Sequence, residues 1–162
     1  MLNIIKLGDS ILTKHSVIVP DINGDIVSLV SDMFEAMDRG RGVGLAAVQV
    51  GELLRLFVTH VPHDNPRVFI NPDILETSIE QEPFEEGCLS IPGLYTDVVR
   101  PVWVRIQAWN ARGRPFSLTA EGYLGRVIQH EFDHLNGILF LDRIEQKKKQ
   151  RLLAAYQEKV EA

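Results

Sequence analysis

The chain has one cysteine among its 162 residues, Cys88, so no internal disulfide can staple it. That fits a reducing compartment, and a cytoplasmic protein is expected. No segment reaches the roughly 18 to 20 apolar residues of a membrane span. The opening "MLNIIKLGDSILTKHS" offers only a short apolar stretch broken by Asn3, which is neither a secretory signal nor an Arg-rich organelle leader. Without a spanning segment no membrane association is expected, and basic charge is also in deficit: the net charge of -5 provides no field for a polyanion, so no nucleic-acid site is expected. The cluster "QKKKQR" (Gln146 to Arg151) falls in a helical pattern and reads as a solvated helix face. Repeats, low-complexity tracts and linkers are missing too, so residues 1–162 are expected to form one domain, long enough to bury a core unaided.

What is present is a mixture of periods. From Asp25 to Arg39, Ile26, Leu29, Val30, Met33, Phe34 and Met37 recur at helical spacing, between capping residues at Asn23 to Asp25 and glycines at 40 and 42. "LRLFVTHV", "RVFIN" and "ILETSIEQ" read as strands, with Pro62, Pro66 and Pro72 marking turns. "VWVRIQAWN" alternates, "NARG" turns, and "PFSLTA" returns as the second arm of a hairpin. The helical period resumes near Tyr123 with Asn136-Gly137 as its C-cap, and a last helix spans about Glu145 to Val160. Leu152, Leu153 and Tyr156 of that last helix should pack on the chain's own core, while the oligomeric state is not legible. Strands clustered between helices predict an α+β fold.

The chemistry begins in "VIQHEFDHLNG". Histidines four apart on a helix sit about 40° from each other around the axis, so His130 and His134 can face one metal ion. Glu131, roughly 100° round from His130, lies beside such an ion and can take a proton from water there. A third ligand must come from elsewhere. The extended H-E-x-x-H-x-x-G-x-x-H pattern fails at Phe140. Glu158 is at a conceivable distance, but without the surrounding pattern of peptidases that use a later glutamate. Cys88 in "EEGCLSIP" remains; Leu89 and Ser90 after it read as the start of a strand. A thiolate with two imidazoles leaves a fourth position open, as a catalytic metal requires. The G-x-G of "GVGLAAVQV" lacks the following helix and acidic residue of a dinucleotide site.

Taken in order and at these separations, "GVGLAAVQ", "EGCLS" and "QHEFDHL" resemble the three signature motifs of peptide deformylases of the ordinary bacterial type, over essentially the whole chain. The resemblance implies strands, largely antiparallel, packed around a central metal-binding helix, with helices at both ends. It implies Cys88, His130 and His134 as metal ligands, Glu131 as general acid/base, and Gln49 with the Leu89 backbone N–H as oxyanion donors. The expected cofactor is one divalent ion, Fe(II), with Zn(II), Ni(II) or Co(II) as substitutes; a thiolate ligand suits such metals far better than magnesium or calcium. The expected substrates are N-formylmethionyl nascent peptides, met at the ribosome and released with loss of formate. Val43, Phe84, Tyr123 and Val127 match pocket-lining positions, Glu86 and Gly87 join the substrate-binding set, and Gly44 should admit the substrate backbone. Ser10 and Thr13 stand where relatives often carry proline and arginine, Gly125 where alanine is common, and Tyr123 in place of a commoner leucine. Two other readings are a small zinc endopeptidase and a non-catalytic metal-binding relative; a pure binder would need neither Glu131 nor Gln49.

Overall fold

The structure is a computed structural model that describes residues 1–161; Ala162, the last residue of the expected domain, lies outside them. A short 3-10 turn at Ser10–Thr13 precedes helix α1 (Gly24–Arg39). Asn23 caps α1 by accepting from the Ile26 N–H, and Asp25 and Arg39 complement the two ends of the helix dipole. Strands β1 (Gly44–Ala46), β2 (Leu56–Thr59) and β3 (Arg67–Thr77) follow, then β4 (Gln81–Cys88), β5 (Ile91–Pro101), β6 (Trp103–Trp109) and β7 (Pro115–Glu121). The chain closes with α2 (Gly122–Leu135) and α3 (Gln146–Glu161). Among the described residues, these strands pair antiparallel: five form one sheet in the order β1-β2-β3-β6-β7, and β4 and β5 form a separate ribbon. The expected α+β class is what the chain adopts.

Period-two alternation explains how the large sheet is buried on both faces. Leu56 and Val58 of β2 point to one side, where they meet Val30, Met33 and Met37 of α1. Phe57 and Phe69 point to the other, where Ile128 and Leu135 of α2 join Val104 and Ile106. Burying side chains of this size contributes about 1.5–3 kcal/mol each. A third cluster, with Leu12, Ile91, Val98 and Phe140 at its centre, receives Leu152, Leu153 and Tyr156 of α3, so the last helix packs on its own chain. The central helix α2 therefore lies between the large sheet and the ribbon.

Three local expectations are corrected. Pro72 does not turn the chain: β3 runs through it, and the ladder to β6 slips in register between Ile70 and Asp73. Asn71 takes a positive φ of 49° there, so the strand bulges rather than ends. "ILETSIEQ" is divided instead, because Ser78 leaves the strand, accepting from the Val102 N–H at 2.8 Å while its own N–H bonds Trp103 O. Leu89 and Ser90 do not start a strand. They form the turn between Cys88 and Ile91, which pair across the ribbon.

Candidate metal centre

One turn apart on α2, His130 and His134 hold their rings 5.1 Å apart, and both are buried. Cys88 reaches them from the last residue of β4. Its Sγ lies 3.4 Å from His134 Nε2, and one donor atom from each of the three side chains lies within 4.8 Å of the others. Two donors sharing a tetrahedral ion stand about 3.5 Å apart for bonds near 2.0–2.3 Å, so the spacing fits a first-row divalent metal. Two buried polar atoms here, His134 Nδ1 and Glu131 Oε1, have no protein partner, which an apolar core would not tolerate without a reason. The donor set fits the group that the sequence implied. Glu158, the other candidate ligand, lies exposed on α3 and outside this cluster.

Glu131 places Oε2 4.0 Å from His130 Nε2. Burial raises its carboxyl to about 7, against the pull of His130. The room for it is made by Gly44: a Cβ there would fall 2.6 Å from Glu131 Oε2 and 2.8 Å from Val127 Cγ1. Gly44, expected to admit the substrate backbone, is seen here to admit the glutamate. Gln49 is buried in the 3-10 turn after β1. Its amide nitrogen donates to Ser90 Oγ at 3.0 Å and reaches Cys88 Sγ at 3.5 Å, while its oxygen accepts from the Ala46 N–H. The amide is thus fixed beside the thiol. Leu89 sits in the adjoining turn with its side chain against Gly40 and Gly42.

Glu86, expected in the substrate-binding set, is held in a buried network. Both its carboxylate oxygens are engaged: Arg100 donates to Oε2 at 2.7 Å and to Oε1 at 3.1 Å, and Arg126 donates to Oε2 at 3.2 Å. His130 Nδ1 lies 3.0 Å from Oε1, so that nitrogen carries the proton and Nε2 is left free to ligate. Burial alone would raise the Glu86 carboxyl, but the hydrogen bonds from His130 and Arg100 outweigh it and bring it down to about 2. Arg100 also donates to Asp133, which Arg143 grips with two bonds from outside. Burial lowers the His134 imidazole well below its ordinary value, and the positive charge of Arg100 adds to this. Of this network, sequence reasoning found Glu86 and His130 but not Arg100, Arg126, Asp133 or Arg143. A signal did exist: Arg100 takes an inward position in the alternating run Leu94, Thr96, Val98, Arg100.

Above the donors lies a cleft of about 470 Å³. Val43, Gly44, Glu86, Gly87, Tyr123 and Val127 line it. Phe84 does not; its ring packs against Tyr123 at 5.7 Å and supports that wall from behind. Tyr95 and Arg126 line the cleft without having been foreseen. At Gly125 a Cβ would meet the Ala120 carbonyl oxygen at 2.7 Å, so close backbone approach, not helix propensity, governs that position.

The family model for polypeptide deformylases matches residues 1–150. The chain belongs to the polypeptide deformylase family. It is 47% identical over 150 residues to the peptide deformylase of Treponema pallidum (strain Nichols), covering 93% of this chain and 92% of that protein. With the peptide deformylase of Clostridium botulinum (strain Alaska E43) it shares 50% identity over 145 residues, 90% of this chain and 97% of that one. Among solved deformylases, that of Ehrlichia chaffeensis in complex with actinonin superposes with a TM-score of 0.94 at 37% identity, covering 98% of this chain and 97% of that one. The Thermus thermophilus deformylase gives 0.92 at 40% identity, covering 98% and 94%. In this deformylase fold, a ribbon supplies the thiol, a helix the imidazoles and the buried carboxylate, and the edge of the large sheet the amide.

Proposed function

We propose that this chain is a metal-dependent peptide deformylase, a hydrolase that removes the formyl group from the N-terminal formylmethionine of new polypeptides and releases formate. The observation that carries the reading is a Cys88, His130 and His134 donor set with buried Glu131 and the Gln49 amide directly beside it. A divalent ion held by the three donors, Fe(II) in this proposal with Zn(II), Ni(II) or Co(II) as substitutes, would lower the pKa of a water and polarise the formyl carbonyl.

The chain's own residues supply the rest. Glu131, with its carboxyl near neutrality, takes the proton from the attacking water and delivers it to the departing nitrogen. The Gln49 side-chain N–H and the Leu89 backbone N–H donate to the oxyanion, a charge that develops only as the tetrahedral species forms. His60 N–H bonds the Val43 carbonyl, so by the alternation of an antiparallel ladder the N–H and C=O of Gly44 turn from β2 toward the cleft. The substrate backbone pairs with them as an added strand. Val43, Val127 and Tyr123, the last braced by Phe84, form the methionine pocket, and Gly87 borders the same cleft.

We take residues 1–162 as one catalytic domain working on nascent peptides at the ribosome in the cytoplasm. Among the described residues no helix is long and apolar enough to cross a membrane. One assay tests the reading: the metal-loaded protein is offered a formyl-Met peptide and an unformylated peptide with internal bonds. Formate release with the second peptide intact supports it. Cleavage of internal bonds would identify an endopeptidase instead, and inactivity on both despite bound metal would leave a metal-binding relative.

A further inference from the structure

The ligands of the centre come from two separate pieces of structure, since Cys88 ends β4 of the two-stranded ribbon and the histidines lie on α2. The backbones of ribbon and helix scarcely approach one another. Side chains span the gap, and one of them does so at three points. Arg126, one turn before His130 on α2, donates to Val98 O of β5 at 2.7 Å, to Glu82 O of β4 at 2.8 Å and to Glu86 Oε2 at 3.2 Å. Arg100 bridges in the opposite direction, from β5 to Asp133, but joins side chains only. Arg126 grips the main chain of both strands, and its own side chain is only 6% exposed. Phe84 contributes by packing its ring under the guanidinium at 5.6 Å.

We infer that Arg126 is a positioning residue for the metal centre: by clamping the β4–β5 ribbon to α2 it sets the distance between the Cys88 thiol and the two imidazoles. The inference rests on the ligand set proposed above. A planar, five-donor guanidinium is suited to three acceptors in fixed directions, which a lysine cannot match. Without the fork, the ribbon keeps its ladder, the helix keeps its core contacts, and Arg100–Asp133, His130–Glu86 and Gln129–Pro101 O still join the two, but the side chain that holds the main chain of both strands to α2 is gone. The thiol then drifts from the histidines while each unit stays folded.

The test uses the full-length protein stripped of metal and titrated with cobalt(II) chloride. Affinity is read by competition with a chelator, and Cys88 ligation by the near-ultraviolet thiolate-to-cobalt absorption. In Arg126→Met, the account expects affinity to fall by roughly 10- to 100-fold and the thiolate band to weaken, with the visible bands of histidine-bound cobalt retained. Arg126→Lys should fall between this variant and the wild type. A folded Arg126→Met protein with wild-type affinity and an undiminished thiolate band would overturn the clamp while leaving the ligand set standing. If Arg126→Met does not fold, Arg126→Lys decides by the same two readouts. A thiolate band missing from the wild type, or surviving in Cys88→Ser, would overturn the ligand set and this inference together.

Discussion

Gln49 and Gly44 each do two things, and both can be tested one atom at a time. The Gln49 amide is held by the Ala46 N–H and by Ser90, so its position does not depend on substrate. A donor fixed in advance acts on the transition state, and Gln49→Leu should retain metal while lowering kcat by roughly 10²-fold or more. Steady-state kinetics on a formyl-Met peptide check this; a change confined to KM would make Gln49 a binding residue. Gly44→Ala would put a methyl carbon 2.6 Å from Glu131 Oε2 and force the carboxylate aside. A displacement near 1 Å at a reacting group can cost on the order of 10²-fold in rate. The expected outcome is a large loss of kcat in a protein that still folds, with a thermal midpoint lowered by only a few degrees because the same methyl also crowds Val127, read by kinetics and by calorimetry on one preparation.

Helix α2 ends as its sequence predicts, and the neighbouring chain makes that ending strict. Gly137 has a φ of +73°, and a Cβ there would fall 2.4 Å from the Thr13 carbonyl oxygen. A side chain therefore meets both the left-handed penalty, about 1–2 kcal/mol, and a backbone collision. Gly137→Ala should destabilise the protein by at least about 2 kcal/mol in urea unfolding; an unchanged midpoint would mean that the loop carrying Thr13 yields freely. Where structure follows from local period and caps, as in α1, α2, α3 and the β6–β7 hairpin, the sequence was a sufficient guide. It misled where pairing partners decide: Pro72 is absorbed by a bulge against β6, and Ser78 leaves its strand to bond Val102. The site divides in the same way. His130, Glu131 and His134 follow from helical spacing, whereas Cys88 and Gln49 are brought to them by tertiary packing; Cys88 was reached as the remaining third ligand and Gln49 through family likeness. Arg100, Arg126 and Asp133 escaped notice because an isolated charge in a strand or helix usually faces water.

Across the whole molecule, the buried ion-pair network and the metal centre hold ribbon and helix together, which ties folding stability to pH. Glu86 is brought down to about 2 in the folded chain from an ordinary 4.5. A depressed carboxyl contributes stability that is fully present above the unfolded value and is lost as pH falls toward the folded one. Its contribution, on the order of 3 kcal/mol for a group this buried, should therefore disappear between about pH 4.5 and 2. Urea unfolding of the metal-free protein and of Glu86→Gln across that range should give a difference that is largest at the upper end and closes toward the lower. A constant gap would assign the loss to packing.

Whether one buried carboxylate beside the metal site carries the proton in formyl-amide hydrolysis is decided by formate release from a formyl-Met peptide by the Glu131→Gln protein, with bound metal measured on the same sample. Glutamine preserves shape and one acceptor but cannot take a proton from water. The account predicts a folded, metal-replete protein that still binds the peptide and turns over at least about 10²-fold more slowly than its parent. Near-normal kcat with full metal occupancy would contradict it.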